Sequence, residues 1–536
     1  MTHAGARVIN VGGAVYLTAH ASAEMLTLRR PLTHGGASMP EIIEATDQEH
    51  SATEGLTQHG AADPRGLDAV PRSALFEGRF GRMFRNLPAP RHKRETLIAF
   101  GKALGEASGH EDDAALDNPK IPAAYTYLGQ FVDHDITFDP VSQLQRFNDP
   151  DALHDFRTPR FDLDSLYGSG PADSPFLYEW SDRRFRGVKL LDGRNPAQNE
   201  DGTEFFDRQD LPRNRQGRAT IGDPRNDENI IVGQLQLAFI KFHDRAVDLV
   251  LREKPNLAGA ALFEETRRLV TWHYQWVVVH DFLPRIVGQP MVDALLKPDG
   301  TTDLAFYSFQ NGPFMPVEFA AAAYRYGHSQ VRPGYDLNEN ITDVPIFAPS
   351  DTAGQLEHLG GFRPIPQAWT IDWGHFVKIG GSRPQPSRKI DTRLARPLLR
   401  LPGGLDAAHN SLATLNLRRG KALQLPSGQS IARAMGLTPL AANELGLDRF
   451  GLSAAQRTPL EQDTPLWYYV LREAEKGGGE QLGPVGVRIV AETLIGLLAG
   501  DPLSFLNVQP TWKPERIPAA AAGKFTLGDL LKFATK

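Results

Sequence analysis

The chain has 536 residues, 41% of them hydrophobic, and a net charge of −6 at pH 7. That is enough apolar material for one large core or several ordinary ones, and the absence of a basic stripe argues against nucleic acid as a partner. There is no cysteine, which excludes disulfides, thiolate-ligated haem, cysteine-ligated iron–sulfur clusters and cysteine nucleophiles, and leaves His, Asp, Glu and Tyr to carry any metal or redox chemistry.

Residues 1–72 are rich in Ala, Gly, Thr, His and Glu without sustained periodicity and read as a loosely structured extension. The apolar run at residues 8–17 is interrupted by glycine and preceded by one Arg, so no export signal is predicted; cytoplasmic residence and secretion by a non-classical route both stay open. No stretch is long and apolar enough to span a bilayer as a helix. One compact domain is expected over residues 73–536, anchored first by Phe76, Phe80, Met83 and Phe84. The pattern predicts a mainly α domain, with helices over residues 94–106, 228–252, 262–283, 316–327 and 484–499, few short strands, and long irregular stretches at 192–223 and 333–372. His273 and His280, on an apolar helix, read as packing histidines.

Five segments carry polar residues that a purely structural role does not require. In Tyr125-Thr126-Tyr127-Leu128-Gly129-Gln130-Phe131-Val132-Asp133-His134-Asp135, with Pro122 placed at a first helical turn, Gln130 and His134 are i,i+4 on one helix face, Asp133 lies beside them, and Asp135 points about 100° away. Thr158, Asp162 and Asp164 alternate along Thr158-Pro159-Arg160-Phe161-Asp162-Leu163-Asp164 and offer hard oxygen ligands of the kind calcium takes, with Asp135 able to join them; a solvated turn is the alternative. Arg225, before an acidic helix entry, reads either as a cation aimed at the cavity of His134 or as a surface partner of Glu228. In Glu318-Phe319-Ala320-Ala321-Ala322-Ala323-Tyr324-Arg325-Tyr326-Gly327-His328, the alanines permit close approach of a helix or a flat cofactor. Arg325 and His328 are i,i+3 there, and His328 serves either a metal or the helix dipole. Asn416, flanked by leucines, reads as an acceptor for a metal-bound imidazole or as a turn residue.

In this order the segments resemble the animal-type haem peroxidases of the peroxidase–cyclooxygenase superfamily, bacterial members in particular. The motifs that carry the resemblance are Gly129 to Asp135, Phe161 to Ser169, Gly222-Asp223-Pro224-Arg225 through Asn229, Tyr324 to His328, and Leu415-Asn416. The resemblance implies a helical haem domain that reduces hydrogen peroxide through an oxyferryl state and oxidises halide, thiocyanate or small organic donors. His134 would then be the distal base, Arg225 its partner, Gln130 a residue ordering water or a small anion, His328 the iron ligand, Asn416 the acceptor of its Nδ1–H, and Arg325 a propionate partner. Asp133 and Glu228 match positions that can form esters to haem b, whereas Asn229 stands where some mammalian members carry a vinyl-bonded methionine, so that link is expected to be absent. Asp135, Thr158, the Arg160 carbonyl, Asp162 and Asp164 match the calcium site, with Arg160 replacing an apolar residue and Asp164 a serine. Two rivals remain: a fatty-acid dioxygenase of the same superfamily, whose radical tyrosine would stand where this chain has Arg325, and a haem-binding module without turnover.

Overall fold

Where apolar residues recur at helical spacing, the chain is helical. The computed structural model describes residues 80–108, 113–137, 157–193, 209–310, 312–348, 357–401 and 411–535, together with the backbone alone at 8–11, 14–17, 197–198 and 204–205. The chain divides into two units, Met1–His50 and Ser51–Lys536. In the first, Val8–Val11 and Ala14–Leu17 pair antiparallel. The rest of the expected 1–72 extension, and the boundary placed at its end, lie outside the described residues.

The longer helices of the second unit are α1 (Arg94–Ala107), α2 (Ala124–Ile136), α3 (Ile230–Glu253), α4 (Gly259–Val277), α5 (Leu412–Ala422), α6 (Leu466–Lys476), α7 (Pro484–Gly500) and α8 (Leu527–Thr535). Among the described residues, strands pair only two at a time, so the mainly α expectation holds. Helix α3 is the hub: it packs against α2, α4 and α8. Phe131 of α2 stacks on Phe239 of α3 with centroids 4.5 Å apart, and Tyr274 of α4 meets both rings edge-on. Burying each phenyl contributes about 1.5–3 kcal/mol, and the stack fixes the rotation of α2 about its axis. On this otherwise buried helix, Gly129, Gln130 and Asp133 are left part-exposed.

Three predicted elements differ in detail. Pro122 does not open α2; it ends the strand Asp117–Pro122, which pairs with Pro386–Arg388. Helix α3 starts at Ile230, because Asn229 caps it by accepting from the Val232 N–H at 2.9 Å, while Pro224–Asp227 form a separate 3₁₀ turn capped by Asp223. The predicted helix over 316–327 breaks at Ala322 (φ −136°, ψ −68°) into Val317–Ala321 and a 3₁₀ stretch, Ala323–Gln330. The Ala320 carbonyl, which a continuous helix would offer to residue 324, instead accepts from Arg325 Nε at 2.9 Å. In the tighter spiral, Arg325 and His328 eclipse one another.

Two contacts between helices can be tested directly. A Cβ on Gly101 of α1 would lie 2.7 Å from the Thr414 Cα of α5, so Gly101→Ala should push the helices apart and cost about 1–3 kcal/mol in a denaturant titration. Glu473 of α6 accepts from the Val485 N–H at 2.9 Å at the start of α7, and burial pushes its carboxyl up to about 7. The native state thus holds a proton that the unfolded chain releases near the ordinary carboxylate value, so stability falls as pH rises from about 4.5 through about 7. Glu473→Gln should therefore melt higher than the parent at pH 8 and alike at pH 4.5.

Candidate active site

Helix α2 brings His134 to the 3₁₀ turn that carries Arg225. The imidazole is buried, with Nδ1 2.7 Å from Asn226 Oδ1 and Nε2 3.8 Å from Glu228 Oε1. Burial, followed by the charge of Arg225, lowers its pKa to about 4, so the ring is neutral at physiological pH. Arg225 is clamped on one side: Nη2 donates to the carbonyls of His134 (2.8 Å) and Thr137 (2.6 Å), and Nη2 and Nε both donate to Asp223. The same guanidinium satisfies the last carbonyls of α2 and stands beside the histidine that this helix presents. The Asp223 carboxyl is held well below the usual range by Arg225 and Arg157, against the upward push of its burial.

Gln130 donates to Glu228 and accepts from Asn229 Nδ2 at 3.1 Å. Asp133 accepts from Thr137 Oγ1 at 3.2 Å. Burial raises the Glu228 carboxyl to about 7 even though 38% of its side chain is exposed. Arg325, whose charge acts on Glu228, and the nearby Gly327 and His328 are likewise part-exposed, and a Cβ at Gly327 would have nothing within 4 Å. Burial first, then the charges of Arg325 and Arg419, lowers His328 to about 3. A neutral imidazole with open space at Gly327 beside it and a cation at Arg325 suits a bound haem.

Asn416 of α5 reaches His328, as the sequence predicts, but presents its amide nitrogen 3.0 Å from Nδ1. In that orientation Nδ2–H donates to Nδ1 and the ring proton sits on Nε2, whereas ligating a metal through Nε2 requires the flipped amide, whose oxygen accepts Nδ1–H. The two amide orientations are isosteric, and a metal bound at Nε2 would select the flipped one.

A second cluster lies behind His134. Asp135, Asp162 and Asp164 place ligand oxygens within 4.8 Å of one another. Burial pushes all three carboxyls up, Asp164 to about 7. Thr158 Oγ1 donates to Asp162 at 2.6 Å, and Leu163, at φ +59°, turns the chain between the two aspartates. Arg160 sits in the same loop with its side chain toward Asp501. Arg157, which the sequence reading missed, pairs with Asp164 at 3.2 Å and with Asp223 at 2.7 Å. Three clustered carboxyls outnumber the one guanidinium beside them, which is itself shared with Asp223, and a divalent cation would hold them ionised. The oxygen-only donor set suits calcium.

The sequence pattern described as animal haem peroxidase matches residues 145–445. The chain belongs to the animal haem peroxidase family. That match contains Asp162, Asp164, Arg225, Glu228, Arg325, His328 and Asn416, but it begins after α2, so the place of Gln130, Asp133 and His134 in the site rests on geometry. Among relatives of this family, chorion peroxidase of Drosophila melanogaster is 27% identical over 63% of this chain and 40% of its own, and Drosophila peroxidasin is 23% identical over 59% and 20%. The chain thus spans less than half the length of these curated relatives. Peroxidase A from Dictyostelium discoideum shares the fold at 15% identity and a TM-score of 0.53, covering 87% of this chain and 93% of that one; a fatty acid alpha-dioxygenase of Arabidopsis thaliana does so at 15% and 0.54, covering 83% and 76%.

Of the residues singled out in the sequence, His134, Arg225, Gln130, Asp133 and Glu228 form one group, Arg325, His328 and Asn416 a second, and Asp135, Thr158, Arg160, Asp162 and Asp164 a third. His273 is buried among Phe242, Phe525 and Trp512, as expected of a packing histidine, whereas His280 is exposed and lies tilted over Trp276 at 4.0 Å. Asn226, Gln236, Asp223 and Arg157 were missed. Asn226 and Asp223 flank Arg225 closely enough in sequence to have raised the question.

Proposed function

We propose that the protein is a haem peroxidase: it reduces hydrogen peroxide to water and takes the two electrons from a small donor such as a halide, thiocyanate or a phenol. The single observation that carries this reading is the buried neutral His134, whose Nδ1 faces an amide oxygen and whose Nε2 is left as the base. Haem, when bound through His328, supplies an iron centre that peroxide oxidises by two electrons. His134 Nε2 takes the proton from the near oxygen of the peroxide and returns it to the far one, so that water leaves in place of hydroxide. Arg225, held by Asp223 and by the end of α2, stabilises negative charge growing on the departing oxygen. Gln130 and Asn229 fix the carboxylate of Glu228 at the rim. Asp135, Thr158, the Arg160 carbonyl, Asp162 and Asp164 hold calcium and keep the C-terminal end of α2 in place.

Asp133 and Glu228 are both part-exposed and close enough for their charges to interact, and they are the proposed haem-ester positions. After turnover with peroxide, acidic acetone should leave haem on the polypeptide, and the Asp133→Asn, Glu228→Gln pair should release it; extraction that is complete in the parent would contradict the linkage. Asn229 has no thioether sulfur, so no third, vinyl link is proposed there.

The dioxygenase reading lacks its tyrosine. Arg325 occupies the position three residues before His328, while the Tyr324 ring stacks on Phe319 at 4.4 Å. Stopped-flow mixing with hydrogen peroxide, followed by halide or phenol, tests the peroxidase reading. Oxygen uptake with linoleate and no added peroxide would support the rival.

A further inference from the structure

His134 is held in place by a relay of amides. Asn226 Oδ1 lies 2.7 Å from His134 Nδ1, Asn226 Nδ2 donates to Gln236 Oε1 at 2.9 Å, and Gln236 Nε2 donates to the Ser165 carbonyl at 3.4 Å. Ser165 Oγ in turn donates to Asp135 Oδ1 at 3.0 Å. Asn226, Gln236, Ser165 and Asp135 are each fully buried. Burying two carboxamides costs free energy that an aliphatic pair of the same shape would not, so packing alone does not account for them.

The relay has a direction. A backbone carbonyl can only accept, so Ser165 fixes which end of the Gln236 amide faces it, and Gln236 therefore presents oxygen to Asn226. Asn226 must answer with its nitrogen and turn its oxygen to His134. An amide oxygen cannot donate, so Nδ1 carries the ring proton and Nε2 carries the lone pair. If Asn226 flipped, its oxygen would confront the Gln236 oxygen, and its nitrogen would drive the imidazole into the tautomer that has no base at Nε2.

We propose that Asn226 and Gln236 are positioning residues that lock His134 in the Nδ1–H tautomer, with polarity set by the Ser165 carbonyl and the relay joined to the carboxylate cluster through Ser165 and Asp135. The proposal rests on the reading of His134 as the proton carrier. It adds that the tautomer is imposed from α3, ten residues beyond Asn226 in the chain, and is not chosen by the ring itself.

The test uses full-length protein labelled with nitrogen-15 at histidine, in which two-bond proton–nitrogen correlations report the tautomer and His134→Gln identifies the His134 signals. The parent should show Nδ1–H. Gln236→Leu, which frees Asn226 to flip, should shift His134 towards Nε2–H and, once haem is added, slow the reaction with peroxide by about tenfold or more while haem affinity is kept. Asn226→Asp presents only acceptors, so adding it to Gln236→Leu should restore the Nδ1–H form and recover much of the rate. Asn226→Ala is the second variant and should give mixed tautomers. An Nε2–H ring in the parent, or an unchanged tautomer and rate in Gln236→Leu and Asn226→Ala, would overturn the proposal. A haem-loaded parent inert to peroxide would instead overturn the peroxidase reading, and the tautomer spectra would still decide the role of the relay.

Discussion

His134→Ala should slow the reaction of the haem-loaded protein with hydrogen peroxide by roughly three decades, within the range that a positioned general base contributes. The effect should fall on the peroxide step alone. His134 touches Asn226 and approaches Glu228, whereas His328 is held separately by Asn416 of α5, so haem affinity and the resting Soret band should stay near those of the parent. Rapid mixing with excess peroxide measures the rate, and a variant within a few-fold of the parent would remove His134 from the mechanism. Arg225→Lys should show a smaller loss accompanied by lower stability. One ammonium cannot donate at once to the His134 and Thr137 carbonyls and, in two-pronged fashion, to Asp223.

The second large effect is expected at the carboxylate cluster. Calcium at a hundredfold excess over its dissociation constant should stabilise the protein by about 3 kcal/mol, read as a higher melting temperature that a chelator reverses. Asp162→Asn should abolish that response, because it removes one of the three clustered carboxylates and leaves the Thr158 hydroxyl without its charged acceptor. Chelation should also disturb the peroxide site by two routes. Asp135 adjoins His134 in sequence and accepts from Ser165, and Asp164 is joined to Arg225 through Arg157 and Asp223. A parent whose melting temperature ignores both calcium and chelator would show that the cluster holds no calcium and that Arg157 and protonation of the raised carboxyls compensate it.

Much of this was legible in the sequence, for identifiable reasons. Phe131, Val132 and Leu128 at helical spacing fixed α2 and hence which residues share a face, so Gln130, Asp133 and Asp135 emerged where the period put them. The alternation of Asp162 and Asp164 marked an oxygen-rich loop without reference to partners. Departures arose where long-range contacts override local pattern. Four alanines read as a continuous helix, but Arg325 claims the Ala320 carbonyl and the chain tightens after Ala322. Pro122 suits a helix start equally well as a strand end, and only its pairing with Pro386 settles which. Asn226 and Gln236 look like ordinary polar residues at a helix entry; their role appears only when Ser165, more than sixty positions earlier in the chain, supplies a carbonyl that fixes their direction. Arg157 was missed for the same reason, since its partners Asp164 and Asp223 lie on different segments.

The central claim is that His328 holds the iron and His134 does not. Titrating haem into the parent, His134→Ala and His328→Ala, followed by absorbance through the Soret region, tests it most directly. The parent and His134→Ala should bind one haem tightly with closely similar spectra, while His328→Ala should bind weakly and recover a ligated spectrum on addition of free imidazole. Tight, parent-like binding by His328→Ala, or loss of binding in His134→Ala, would contradict the account.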